Sequence, residues 1–183
     1  CRRHGADLRQ SPWLGFGRTK QRAVEACRNR WVLSVDSDEE VSAELRDAIL
    51  ALPDDPPEAA FAINRLSRFL GRWMRHGGWH PDWVVRLFDR ERGRFDDRAV
   101  HEALVVDGAT GRLPGLLRHH AYDSLEQYIA KLNRYTTDAA AELHAAGRRA
   151  TPAAAVARGA ATFLRMVVVQ GGWRDGGQGL VLG

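Results

Sequence analysis

The stretch Trp31-Val32-Leu33-Ser34-Val35-Asp36-Ser37-Asp38-Glu39-Glu40 constrains the fold of this chain more than any other. An apolar run rich in β-branched residues ends abruptly in carboxylates, two of them one residue apart. This pattern predicts a buried strand that delivers Asp36 and Asp38 to the carboxyl edge of a sheet, where open α/β folds bind ligands. Side chains of a regular strand alternate, so residues i and i+2 project to one side. If that geometry persists past the strand, both carboxylates face one hard divalent cation, Mg²⁺ or Mn²⁺. A cation held there neutralises a departing diphosphate. The same spacing is also met where acidic residues simply open the loop after a strand.

With 183 residues, the chain is long enough for one domain with a real core. Hydrophobic content of 44% and charged content of 27% fit an ordinary globular protein. The net charge of +4 and a pI near 9.6 are compatible with nucleic acid, an anionic membrane or phosphorylated substrates. No compact Lys/Arg run or nucleic-acid motif appears, which argues against a nucleic-acid partner. Cys1 and Cys27 have no metal-like spacing and fit a reducing compartment. No run reaches the roughly 20 apolar residues of a transmembrane helix, so a soluble or peripheral protein is expected.

Along the chain, Arg18 to Arg28 carries Ala23, Val24 and Cys27 at helical spacing and feeds the acidic strand. That is the helix-then-strand order of a doubly wound α/β sheet. Ser42 to Leu52 reads as a helix, ended by Pro53-Asp54-Asp55-Pro56-Pro57. Strands are predicted through Ala59–Ile63, over Trp83 to Phe88, and at Leu104-Val105-Val106. Ser124 to about Ala146 is helical, with Leu125, Tyr128, Ile129, Leu132 and Tyr135 on one stripe. Thr151-Pro152 starts a further helix to Val169. Its apolar face, with arginines off that face, fits either an interfacial helix on an anionic leaflet or a helix packed on the rest of the chain. Gly171-Gly172 and Gly176-Gly177 predict a flexible end.

Several further motifs stand in one order. They are Gly15-Phe16-Gly17, the strand through Asp38-Glu39, Gly77-Gly78-Trp79 with Pro81-Asp82-Trp83, Arg86-Leu87-Phe88, and His101-Glu102. In this order the chain resembles family 2 glycosyltransferases, in the branch similar to the β-glucosyltransferases of lipopolysaccharide inner-core assembly. The resemblance runs from about Trp13 to at least Tyr135. It implies a GT-A-like fold for nucleoside-diphosphate sugars, with a mixed, mainly parallel sheet flanked by helices. Such proteins open with a strand and helix ahead of the region matching Trp13, whereas this chain starts at Cys1 without Met. The expectation is therefore an N-terminally truncated catalytic domain over residues 1–147, followed by an amphipathic helical tail over 148–183.

The resemblance also implies roles. Asp38, and less directly Asp36, would bind the metal and the donor, with Glu39 supporting the loop. Glu102 would be the catalytic base. Asp82 is the second candidate for that role, or else orients donor-sugar hydroxyls. His119 would complete the metal site, although adjacent His120 leaves the register open. Arg86 would contact diphosphate, since guanidinium pairs bidentately with phosphate, and Lys20 on the first helix would reach the nucleotide. Trp79 is expected in a ligand wall and Trp83 in the core. The family usually shows Asn where Gln21 stands, which puts that helix's donor contact in question.

The resulting expectation is an inverting, Mg²⁺- or Mn²⁺-dependent hexosyltransferase using a nucleoside-diphosphate sugar, UDP-linked. The acceptor would be a lipid-linked glycan such as lipopolysaccharide core, and the location cytoplasmic, peripheral on the inner face of the cytoplasmic membrane. The alternatives are a non-catalytic membrane-surface module and a metal-dependent phosphohydrolase. The latter is disfavoured because no second acidic cluster is present to bring two metals together.

Overall fold

The computed structural model describes residue 3 and residues 5–96, 103–149 and 151–183. The elements are α1 (Phe16–Glu25), β1 (Trp31–Leu33), β2 (Glu39–Val41), α2 (Ala43–Leu50), β3 (Ala60–Phe69), β4 (Arg72–Trp73) and β5 (Asp82–Asp89). They continue with β6 (Gly93–Phe95), β7 (Leu104–Val106), β8 (Thr110–Tyr122), α3 (Leu125–Ala145) and α4 (Pro152–Leu164). A π-helical turn (Arg165–Val169), a 3-10 turn (Gly172–Asp175) and α5 (Gly176–Leu182) close the chain.

The main sheet has the order β1-β5-β3-β8-β2, with β4 also on β3, while β6 and β7 form a separate ribbon. The fold class is α/β with a mixed sheet, as expected, but the sheet is not mainly parallel. β1–β5, β2–β8 and β3–β4 all run antiparallel. β8 runs alongside β3 in the same direction, because Ala59 N donates to Ala109 O and Leu70 N to Tyr122 O. The apolar runs read from sequence report burial on both faces of a strand. They carry no information on the direction of its neighbours.

Residues cluster into two compact units, 1–34, 52–62 and 85–112 in one, 35–51, 63–84 and 113–183 in the other. In the first unit, Val24, Val32, Ala60 and Phe88 form the core, with Cys27, Val85 and Phe95 packed against it. Asp89 at the end of β5 is buried and accepts from Arg30 Nε at 2.8 Å and from Glu91 N at 2.9 Å.

In the second unit, Phe69, Met74 and Leu182 form a core joined by Trp79, Tyr122 and Tyr128. Ser42 caps α2, its Oγ accepting from Leu45 N at 3.2 Å and from Leu116 N at 3.0 Å, which ties the helix start to β8. Gly115 makes that approach possible. It lies at φ 90°, and a Cβ there would run into the backbone of Leu45. The β3–β4 hairpin turns through Leu70 (φ 44°) and Gly71 (φ 83°). Two positive-φ residues are what a type I′ turn demands.

The tail differs from its expectation in two respects. The Gly-rich end is helical rather than loose, because Leu182 of α5 is buried with Phe69 and Met74. Also, Pro152–Val169 forms 18 residues with mean hydropathy 1.4, long and apolar enough by length and composition to cross a membrane, and only 6% of it is buried. Arg158 and Arg165 interrupt the run, so no unbroken apolar stretch is visible, yet two charges in 18 residues leave its mean hydropathy high.

Candidate functional site

A cleft of about 550 Å³ opens in the second unit. One side is built by β3 and β8, which contribute Arg65, Ser67 and His119. The chain before β5 contributes Gly77 and Trp79, and β5 contributes its first residue, Asp82. α3 and the π-helical turn supply Lys131, Tyr135, Arg165 and Gln170.

The acidic segment meets His119, a lining residue of this cleft, by a turn, not by a continued strand. β1 ends at Leu33, and the chain turns at Ser37-Asp38 before β2. Glu39 N donates to Asp36 O at 3.0 Å, and Asp36 N donates to Glu39 Oε2 at 2.9 Å. The strand alternation expected to aim Asp36 and Asp38 together therefore stops before either residue. Asp36 is half-buried, while the Asp38 side chain is 48% exposed and its Oδ2 lies 3.4 Å from His119 Nε2. β2 pairing on β8 makes this meeting, with Glu39 opposite His119 and His120 N donating to Asp38 O at 2.9 Å. The register thus brings His119 to Asp38. His120 instead packs edge-on against Trp73 at 5.4 Å.

His119 is held from its other nitrogen, Nδ1 lying 3.1 Å from Ser67 Oγ. A hydroxyl both donates and accepts, so Ser67 supports either neutral tautomer. Burial, and then the Arg65 guanidinium, hold the His119 imidazole below its ordinary proton affinity, against the opposing Asp38 and Glu39 carboxylates. A neutral imidazole beside a carboxylate is a metal-ligating set. Among the described residues no group of three His, Cys, Asp or Glu side chains is arranged around a metal. Asp38 and His119 supply a carboxylate and an imidazole, ligand types that could hold a cation beside this cleft.

Asp82, at the start of β5, points its Oδ2 at Arg65, which donates through Nε at 2.9 Å and lies 2.7 Å away through a terminal nitrogen. Its backbone N–H donates to Asn64 Oδ1 at 3.1 Å. Arg65 also reaches the fully covered Glu39 side chain, 3.8 Å away. One guanidinium thus links the Asp82 wall to the Asp36–Glu39 turn. Trp83 faces away from Asp82 by strand alternation and is 38% exposed, which corrects its expected core position. Trp79 does line the cleft, with its ring 6.4 Å from Phe69.

The Gly77-Gly78 strap that carries Trp79 is clasped by the tail. Buried Asp175 accepts from His76 N at 2.7 Å and Arg75 N at 2.9 Å, and its Oδ1 lies 2.9 Å from His76 Nδ1. Burial alone would raise the Asp175 carboxyl, but these bonds from His76 and Arg75 outweigh it and hold the group below the usual carboxylate value. Gly77 N donates to Gln170 O at 3.0 Å, closing the strap onto the end of the π-helical turn.

Other expected site residues lie elsewhere. Lys20 belongs to the first unit, 5.8 Å over the Phe95 ring, and Gln21 Oε1 accepts from Phe95 N at 3.0 Å. Arg86 is only 7% exposed, also in the first unit, its carbonyl accepting from Ser34 N at 2.8 Å. His101 and Glu102 lie outside the described residues. Arg65, Ser67, Lys131, Arg165 and Asp175 were not anticipated. Arg65 shares its strand with Asn64, Ser67 and Arg68, so nothing local singles it out.

No family model matches the chain, and no solved structure matches it. Among curated proteins, it is 29% identical over 180 residues to the lipopolysaccharide core biosynthesis glycosyltransferase LpsC of Rhizobium meliloti, covering 93% of this chain and 64% of that protein. It is also 29% identical over 157 residues to an uncharacterized glycosyltransferase of Rickettsia typhi, covering 79% of this chain and 54% of the relative. A Rickettsia prowazekii protein of the same description is 28% identical over 165 residues. The chain thus spans between half and two thirds of the length of these relatives. By sequence, the chain is similar to proteins named as glycosyltransferases, one of them named for lipopolysaccharide core biosynthesis.

Proposed function

We propose that this chain carries the reaction cleft of an inverting glycosyltransferase of the family 2 type with GT-A architecture. It moves a hexose from a UDP-sugar to a lipid-linked glycan such as lipopolysaccharide core. The observation that carries the reading is one cleft lined by Arg65, Asp82 and His119, with Asp38 lying 3.4 Å from that histidine. Its homology to named glycosyltransferases supports the same chemistry.

In this reading Asp38 and His119 hold a Mg²⁺ or Mn²⁺ ion, with Asp36 in support. The ion supplies charge neutralisation for the leaving diphosphate. Arg65 grips Asp82 Oδ2 and leaves Oδ1 to accept from a sugar hydroxyl, which fits an orienting role. Glu102 then serves as the base that takes the proton of the acceptor hydroxyl as it attacks the anomeric carbon. Trp79 forms a wall for the sugar face.

The exposed apolar stripes of α3 and α4 support a peripheral position on the cytoplasmic leaflet. Val156 on α4 is 74% exposed, and Leu125, Ile129 and Leu132 on α3 are exposed as well. Amphipathic helices of this kind lie in the interface plane. The same stripes favour a second reading, a non-catalytic membrane-surface module.

The deciding assay follows sugar transfer from labelled UDP-glucose to a lipid-linked glycan with and without Mn²⁺. Transfer that disappears in Asp38→Ala, and in Glu102→Gln with UDP binding retained, is the expected result. Near-normal turnover by Glu102→Gln together with loss in Asp82→Asn would move the base to Asp82. Liposome binding that survives Asp38→Ala, with no nucleotide bound by the unaltered protein, would favour the membrane-surface module.

A further inference from the structure

Arg65 is the one cation of the cleft whose charge is met by carboxylates, those of Asp82 and Glu39, among the described residues. Lys131 and Arg165 line the same cleft, and neither has an ion-pair partner among the described residues. Lys131 is instead held by aromatic rings, its ammonium 5.1 Å from the Tyr122 centroid and 5.8 Å from that of Tyr135. Ring faces attract the charge without neutralising it, so a Lys held this way remains cationic towards an anionic ligand. Arg165 opens the π-helical turn, where Gln170 N donates to Arg165 O at 2.8 Å. Gly77 N in turn donates to Gln170 O. Interruptions of this type re-aim side chains and recur at functional sites.

We propose that Lys131 and Arg165 form an oxyanion subsite for the acceptor, which therefore carries a phosphate or carboxylate beside the hydroxyl that is glycosylated. The inference rests on the glycosyl-transfer reading, in which a divalent cation held by Asp38 and His119 would carry the donor diphosphate. Two further cations in the same cleft then answer to a second anion. Guanidinium supplies a bidentate fork for such a group, and the tyrosine-held ammonium a point charge beside it.

The test compares the full protein with Lys131→Gln/Arg165→Gln by flotation on phosphatidylcholine vesicles. The vesicles carry a bisphosphorylated glycolipid, the same glycolipid after phosphatase treatment, a carboxylate-bearing acidic glycolipid, or phosphatidylglycerol at matched charge. UDP binding is measured in parallel. The expected result is binding to one acidic glycolipid at least tenfold above the matched phosphatidylglycerol vesicles, with that preference lost in the double variant and UDP binding retained. Preference for the phosphorylated or the carboxylated lipid identifies which anion the subsite reads. Equal binding to all charged vesicles would overturn the proposal in favour of general attraction to an anionic surface. So would an unchanged preference in the variant. A parallel loss of UDP binding would reassign the two cations to the donor diphosphate and equally overturn it. Since flotation needs no turnover, absence of UDP binding by the unaltered protein would refute the transfer reading separately.

Discussion

β5 begins and ends with an aspartate, and each is paired with an arginine, yet the two ends do different work. Asp89 is 1% exposed, with Arg30 on one carboxylate oxygen and Glu91 N on the other. One oxygen is spent on the turn after the strand and the other on Arg30, ahead of β1. Asp82 is 35% exposed, and the bonds from Arg65 converge on its Oδ2 at the rim of a cleft. Identical residue types therefore serve as a structural clamp at one end and a ligand-facing group at the other. The difference lies in which oxygens are consumed and whether an open volume adjoins them. In sequence, Asp82-Trp83-Val84-Val85-Arg86-Leu87-Phe88-Asp89 gives no hint of this division.

The strongest way to break the contrast is to truncate each aspartate in turn. Asp82→Ala should lower sugar transfer by about 100-fold, the scale of a misplaced reacting group. Its melting temperature should stay within about 3 °C, because Arg65 keeps Glu39 nearby and the site is open. Asp89→Ala should do the reverse. It loses hydrogen bonds to a buried carboxylate, about 2 kcal/mol, seen as a fall of about 6 °C in melting with kcat preserved in the folded fraction. Equal loss of stability in both variants would erase the distinction.

Arg65→Lys sharpens the same point. Lysine keeps the charge but cannot direct two N–H groups at Asp82 while reaching Glu39. A roughly tenfold loss of transfer is expected, carried by kcat more than by the KM for donor. An unchanged rate would mean that Arg65 acts only through its charge.

The smallest expected effect concerns the tail clasp. Asp175 sits below its ordinary value of 3.8 in the folded protein, so the unfolded chain binds its proton first as pH falls. Its contribution is therefore fully present above about pH 4 and fades as pH drops through the lower folded value. Melting curves of Asp175→Asn should show a shallower decline below pH 4 than the unaltered protein. Parallel curves for the two proteins would show that the clasp adds nothing.

Local pattern made several elements legible. The helix predicted over Ser42 to Leu52 is α2, started by the Ser42 cap, and the stripe from Leu125 to Tyr135 lies on α3. The acidic strand is β1, shorter than read because its apolar run continues into a turn. β8 escaped notice because Pro114-Gly115 breaks its pattern, although Gly115 is what lets α2 settle on it. α5 escaped because glycine signals flexibility until Leu182 finds its core. At the site, His119 and Asp38 were both read, but their meeting depends on the β2–β8 register. Arg65 acts through Asp82, 17 residues distant, and Glu39, while Lys131 and Arg165 act at an open cleft, and no local spacing encodes either arrangement.

The most direct test of the account is calorimetric titration of UDP into the protein with and without Mn²⁺, repeated with Asp38→Ala. The account predicts Mn²⁺-dependent binding that disappears in the variant, with its fold and melting temperature retained. UDP binding that is indifferent to Mn²⁺ and survives Asp38→Ala would contradict a donor site built on Asp38 and His119.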